Sequence, residues 1–131
     1  MCVISNSLRT LCVVDEVRGV AQLGNIVYVG FARSPIVRMY AADTLSLLGD
    51  GIHVEGMENP SDIVVCRDDR QLYVADEECC IWRVSADAHS YERWLFTPLT
   101  FPAWKLSLMS RRLLVTARSP PVLRQYNTTN S

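Results

Sequence analysis

The chain has 131 residues, a formal net charge of −1, 49% hydrophobic residues and 21% charged residues. That length suits one domain with a useful core, and the composition excludes disorder. Balanced charge argues against nucleic acid as the main partner, because phosphate binding needs a surplus of Lys and Arg on one face. No apolar run approaches the roughly 20 residues of a membrane helix.

In chain order, the start (Met1-Cys2-Val3-Ile4-Ser5-Asn6) has no basic region and no long apolar stretch, so no signal peptide is read there. Leu11-Cys12-Val13-Val14 reads as a spare strand within residues 1–16. A first unit over 17–56 holds Arg18-Gly19-Val20-Ala21, a turn at Leu23-Gly24-Asn25, Ile26-Val27-Tyr28-Val29-Gly30 and Ile36-Val37-Arg38-Met39-Tyr40. Its fourth strand is either Leu45-Ser46-Leu47-Leu48 or Ile52-His53-Val54. A second unit over 57–100 holds Ser61-Asp62-Ile63-Val64-Val65, a turn at Arg67-Asp68-Asp69-Arg70, Gln71 to Asp76, Ile81-Trp82-Arg83-Val84 and Tyr91 to Phe96. A third over 101–131 holds Lys105-Leu106-Ser107-Leu108, a turn at Ser110-Arg111, Leu113 to Ala117 and Val122 to Tyr126, with no fourth strand after it.

The layout repeats. Tyr28 to Tyr73 spans 45 residues and Tyr73 to Leu114 spans 41; Arg38, Arg83 and Arg124 give the same two intervals. A period in the low forties, built of short β-branched runs between Gly, Pro and Asp turns, is the signature of propeller blades. Helical repeats would need longer amphipathic stretches. The expected fold is therefore all-β: a partial β-propeller of about three four-stranded antiparallel blades in one domain, the third lacking its outer strand. Apolar runs without strict alternation imply that both faces of each blade pack on neighbours.

Pro60-Ser61-Asp62-Ile63-Val64-Val65, Gln71-Leu72-Tyr73-Val74-Ala75-Asp76 and Ile81-Trp82-Arg83-Val84 resemble the NHL-type repeat of six-bladed propellers. The likeness is good in the second unit, fair in the first and poor in the third. Phe31 and Ala117 stand where the second unit has Asp76. The resemblance implies an interaction platform for protein or RNA; related propellers are metal-dependent lactone hydrolases, and complete rings there have six blades.

The candidate repeat-position residues, structural or binding, are Arg38, Arg83, Arg124, Asp62 and Asp76. Arginines inside a third strand read as tethers between blades rather than as a ring of cations facing a ligand. The acidic stretch Asp76-Glu77-Glu78 beside Cys79-Cys80 offers ligand atoms without metal-site spacing. Trp82, Trp94 and Trp104 read as packing residues. His53 and His89 stand alone, and no nucleophile–base motif or phosphate loop is present. No catalytic residue, cofactor or metal is expected. The function read from this is a non-catalytic, protein-binding scaffold, with a lactonase-like hydrolase fragment or an RNA-binding NHL-type propeller as alternatives. An odd cysteine count suggests free thiols and a cytoplasmic protein, against one glycosylation triplet at Asn127. Three blades do not close a ring, which points to a fragment or truncated product ahead of a half-ring that dimerises, and to self-association through open blade edges.

Overall fold

The computed structural model describes residues 9–78, 80–95, 102–117 and 121–129. Among the described residues eleven strands make three antiparallel sheets, in each of which consecutive strands are paired. The first sheet contains β1 (Val17–Leu23), β2 (Ile26–Phe31), β3 (Ile36–Ala41) and β4 (Ile52–His53). The second contains β5 (Pro60–Cys66), β6 (Gln71–Asp76), β7 (Ile81–Ser85) and β8 (Tyr91–Leu95). The third contains β9 (Lys105–Met109), β10 (Arg112–Ala117) and β11 (Val122–Asn127). β5 packs beside β1 on one side and β9 on the other, so the first strands line the inner side of an arc. This is a partial β-propeller of 4, 4 and 3 strands, as the repeat predicts.

Burial explains the missing alternation, and corrects part of it. In the second sheet β6 is buried along nearly its whole length, because its two faces meet different neighbours. Leu72 and Val74 join Tyr28, Val37 and Met39 in the core between the first and second sheets. Tyr73 and Ala75 join Leu113, Val115 and Ala117 in the core between the second and third. β10 instead alternates buried and open positions, since only one of its faces meets another sheet. Packing on both faces therefore holds for the middle sheet and not for the third.

The outer strand of the first sheet uses both candidate runs. Ala41 N donates to Ser46 O, Leu48 N donates to Met39 O, and Leu47 bridges Tyr40. The chain then detours through 49–51 before Ile52 and His53 pair with Val37 and Ile36. Gly49 and Gly51 have φ of +63° and +80°, where other residues are strained. A Cβ on Gly51 would also lie 2.7 Å from Val37 O.

Two expectations fail. Residues 11–14 form no strand; Leu11 and Val13 are exposed and Val14 fully so. The segment has the composition of a strand but no ladder to join, and a strand forms only where another backbone supplies the partner groups. Cys80, fully buried, is disulfide-bonded, while Cys12 and Cys66 are free. The thiol argument for a cytoplasmic protein is thereby lost. Among the described residues no helix is long and apolar enough to cross a membrane.

Candidate functional site

The register overturns the equivalence of the three arginines. Arg38 pairs with Val29, Arg124 with Val115, and Arg83 with Tyr73. Val29 and Val115 occupy the corresponding place in β2 and β10, whose equivalent in β6 is Val74, and Val74 pairs with Trp82. Trp82 is thus the structural counterpart of Arg38 and Arg124. The paired residues Val74 and Trp82 are eight positions apart where Val29 and Arg38, and Val115 and Arg124, are nine apart, and a one-residue change reverses the face on which a strand residue lies. The equal intervals between the arginines were a coincidence of loop lengths.

Each arginine has local work. Arg38 lies 5.3 Å over the Phe31 ring and 3.9 Å from Asp15. Arg83 donates to Glu92 Oε2 at 3.1 Å. Burial opposes its charge, but bonding to Glu92 and Tyr73 outweighs that and raises its pKa. The Tyr73 hydroxyl is pushed up by burial, with Arg83 pulling the other way. Arg124 lies on the side of β11 that faces the second sheet.

The two aspartates lie on opposite faces of the second sheet and never meet. Asp76 is fully buried at the end of β6. Its carboxylate accepts four hydrogen bonds: from Glu58 N at 2.8 Å, Asn59 N at 3.1 Å, Glu78 N at 3.0 Å and Trp82 Nε1 at 3.2 Å. It thereby fixes the connection between the first two sheets, the hairpin after β6 and the Trp82 ring. Asp62 reaches the other way, accepting from Ile63 N at 3.0 Å and from Leu106 N of β9 at 2.8 Å. Both carboxylates are fastenings: Asp62 is directed at backbone donors and Asp76 at three backbone donors and the Trp82 indole, which for the fully buried Asp76 leaves poor geometry for a metal or a general base.

Further fastenings join these, some at residues the sequence did not single out. Ser61 Oγ donates to Ala103 O at 3.0 Å across the second interface, and Lys105 Nζ donates to Ser61 O at 3.2 Å. Asn59 accepts from Arg33 N and donates to Glu77, which also accepts from Arg18. Trp94 is wedged between Tyr73 and Tyr126, with ring centroids at 5.1 and 6.3 Å and edge-on geometry. Trp104, half-buried, has Arg18 at 5.6 Å and Lys105 at 4.8 Å from its ring. A small hydroxyl or amide between strands carries no sequence signature, so Ser61 and Asn59 were not recoverable in advance.

At the opposite, turn-bearing end, the β5–β6 and β9–β10 turns meet. Arg111 donates to Asp69 Oδ2 at 2.6 Å, and Arg111 O accepts from both N and Oγ1 of Thr128. Arg111 holds the Asp69 carboxyl below its usual range, and Asp69 raises Arg111 in return. Ser110 and Arg111 have φ of 50° and 61°, the mirror-image hairpin turn that normally takes Asn-Gly. Beside this turn runs a groove of about 400 Å³ between the second and third sheets, where Cys66 and Leu108 border the core between those sheets and Arg67, Asp68 and Ser110 form a polar rim. Among the described residues no three His, Cys, Asp or Glu side chains group as metal ligands, and no buried side-chain polar atom lacks a partner.

No family model matches the sequence, and no curated protein matches it as a relative. Solved structures do match the fold. A nidogen–laminin complex, in which nidogen is a β-propeller, superposes over 89% of this chain and 46% of that one, with a TM-score of 0.74 and 14% identity. The computationally designed Ika8 protein matches over 86% of this chain and 33% of its own, with a TM-score of 0.59 and 13% identity. The designed Ika4 protein matches over 95% of this chain and 99% of its own, with a TM-score of 0.59 and 10% identity. The chain thus spans a third to a half of the length of two of these proteins and nearly all of the third. At such identities the likeness concerns the fold alone, and no comparison supports the NHL family specifically.

Proposed function

We propose that the chain is a non-catalytic interaction scaffold that takes a protein segment in the groove between its second and third sheets. The observation behind this reading is the use of its charged groups. Asp62, Asp76, Asp69 and Arg83 are engaged in holding strands and sheets together, and such engagement suits a stiff frame better than a site that must exchange protons or ligands. The groove sets Cys66 and Leu108 beside a polar rim of Arg67, Asp68 and Ser110, a combination suited to an apolar side chain on an extended peptide. The turn residues Ser110 and Arg111 beside it are held in a conformation costly for non-glycine residues.

Selection of peptides on the immobilised chain tests the reading. The winning peptides are expected to carry an apolar anchor and to bind Arg67→Glu at least tenfold more weakly. Peptides indifferent to that change, or no peptide enriched above background, would overturn it.

A further inference from the structure

One motif of the sequence has no part in the sheets or the groove. Asn127-Thr128-Thr129 is the one Asn-x-Ser/Thr triplet in the chain whose middle residue is not proline. We infer that Asn127 carries an N-linked oligosaccharide, added in an oxidising secretory compartment, and that this sugar covers the apolar outer face of the third sheet.

The local geometry presents the triplet. Thr128 is buried, and its N and Oγ1 both donate to Arg111 O, at 2.9 and 3.0 Å. With the middle residue held inward, Asn127 and Thr129 on either side of it are exposed. Asn127 Oδ1 accepts from Thr129 N at 2.9 Å and from the Thr129 hydroxyl. A hydroxyl two residues on is what the motif requires. Here it already holds the amide oxygen, while Asn127 Nδ2 makes no hydrogen bond among the described residues. Asn59-Pro60-Ser61 is the contrast: proline blocks the motif, and the Asn59 side chain is engaged by Arg33 N and Glu77.

The donor is an oligosaccharide linked through pyrophosphate to a lipid. Asn127 Nδ2 forms a bond to the anomeric carbon, and the bond from that carbon to the pyrophosphate oxygen breaks. Its electron pair leaves with the lipid pyrophosphate, and the amide nitrogen gives up one proton to solvent. A second observation points to the compartment where this transfer occurs. Cys80, fully buried in the hairpin after β6, is disulfide-bonded, and such bonds persist in the secretory pathway and outside the cell.

The place of attachment gives the sugar something to cover. Asn127 pairs with Arg112, which pairs with Met109, so the three share one row on the third sheet's outer face. Leu123 lies on the same face of β11, four residues back. Met109 and Leu123 are 77% and 67% exposed. They lie about 10 Å from Asn127 across two strand spacings and about 13 Å along the strand, within reach of a branched oligosaccharide. A hydrated sugar there shields apolar surface that otherwise favours association.

No leader is read in Met1–Asn6, so the protein captured from the cells that make it is the material to measure. Peptide N-glycosidase in heavy-oxygen water should lower its mass by one oligosaccharide and leave position 127 as a labelled aspartate. Re-expressed in the same cells, Asn127→Gln and Thr129→Ala should abolish the modification, and Thr129→Ser should retain it. Removing the sugar from the folded protein should leave the melting temperature unchanged and raise binding of an apolar dye about twofold or more; Leu123→Gln should reduce that rise. An unlabelled asparagine at 127 in the native protein, a sugar that persists in Asn127→Gln, or dye binding indifferent to removal of the sugar would overturn the inference. Arg67 has no part in this site, so the groove reading stands or falls separately.

Discussion

The two inter-sheet interfaces meet the same packing problem with different chemistry. Gly19, Asp62 and Lys105 hold corresponding places in β1, β5 and β9, opposite Gly30, Ala75 and Thr116. At the first interface Gly19 lets the two inner strands touch backbone to backbone: a Cβ there would lie 2.7 Å from Ile63 N. At the second, the Asp62 side chain spans the gap and accepts from Leu106 N. Around these points the first core is mainly aliphatic with Tyr28 and Trp82, whereas the second adds Ser61, Lys105 and the Asp69–Arg111 pair. At the inner strands one interface depends on close approach and the other on a directed hydrogen bond, with Arg18–Glu77 and Arg33–Asn59 adding polar contacts at the edge of the first, so the two should respond to different insults.

The largest effect is expected at the buried carboxylate beside the first interface. Asp76→Ala removes the acceptor for four donors and should cost on the order of 3 kcal/mol or more, seen as a lower denaturant midpoint. A loss no greater than that of a surface substitution would mean that the carboxylate is not the clamp its bonds suggest. Next, Gly19→Val should strain the close approach of β1 to β5 and cost about 1–3 kcal/mol. Hydrogen exchange should then rise in β1 and β2 before it rises in β10.

Asp62→Ala should act on the other interface, costing about 1.5–3 kcal/mol for one charge-assisted bond, with faster exchange at Leu106 N. If either variant loosened both interfaces equally, the contrast between them would fail.

The smallest effect concerns pH. Asp69 has its folded pKa below the ordinary 3.8 through Arg111. Its contribution is present above that value and is lost as the pH falls through the depressed folded value. Wild type should therefore lose melting temperature more steeply than Asp69→Asn on acidification below about pH 4; matching acid limbs would show that the exposed pair contributes nothing.

The sequence was most informative where period and composition carry the signal. Strands β5–β7 and β9–β11 fall on the expected runs because β-branched residues between Gly, Pro and Asp turns leave few alternatives. It was least informative where one residue of loop length decides orientation: Arg83 shares its interval with Arg38 and Arg124 and yet faces the other way. Asp76 was recognisable as a singular residue, but two of its four donors are backbone amides 18 and 17 residues back, at Glu58 and Asn59, which no local pattern announces. Residues 11–14 show the remaining gap, because composition can mark a strand but only a partner edge can form one.

The detour at 49–51 has a consequence for how the molecule ends sideways. A lengthening fibril needs an unbroken row of backbone groups to copy. The outer edge of the first sheet offers one bridge at Leu47 and then two residues, Ile52–His53, with two left-handed glycines between. That interruption makes a poor template, so the rim of the first sheet resists stacking.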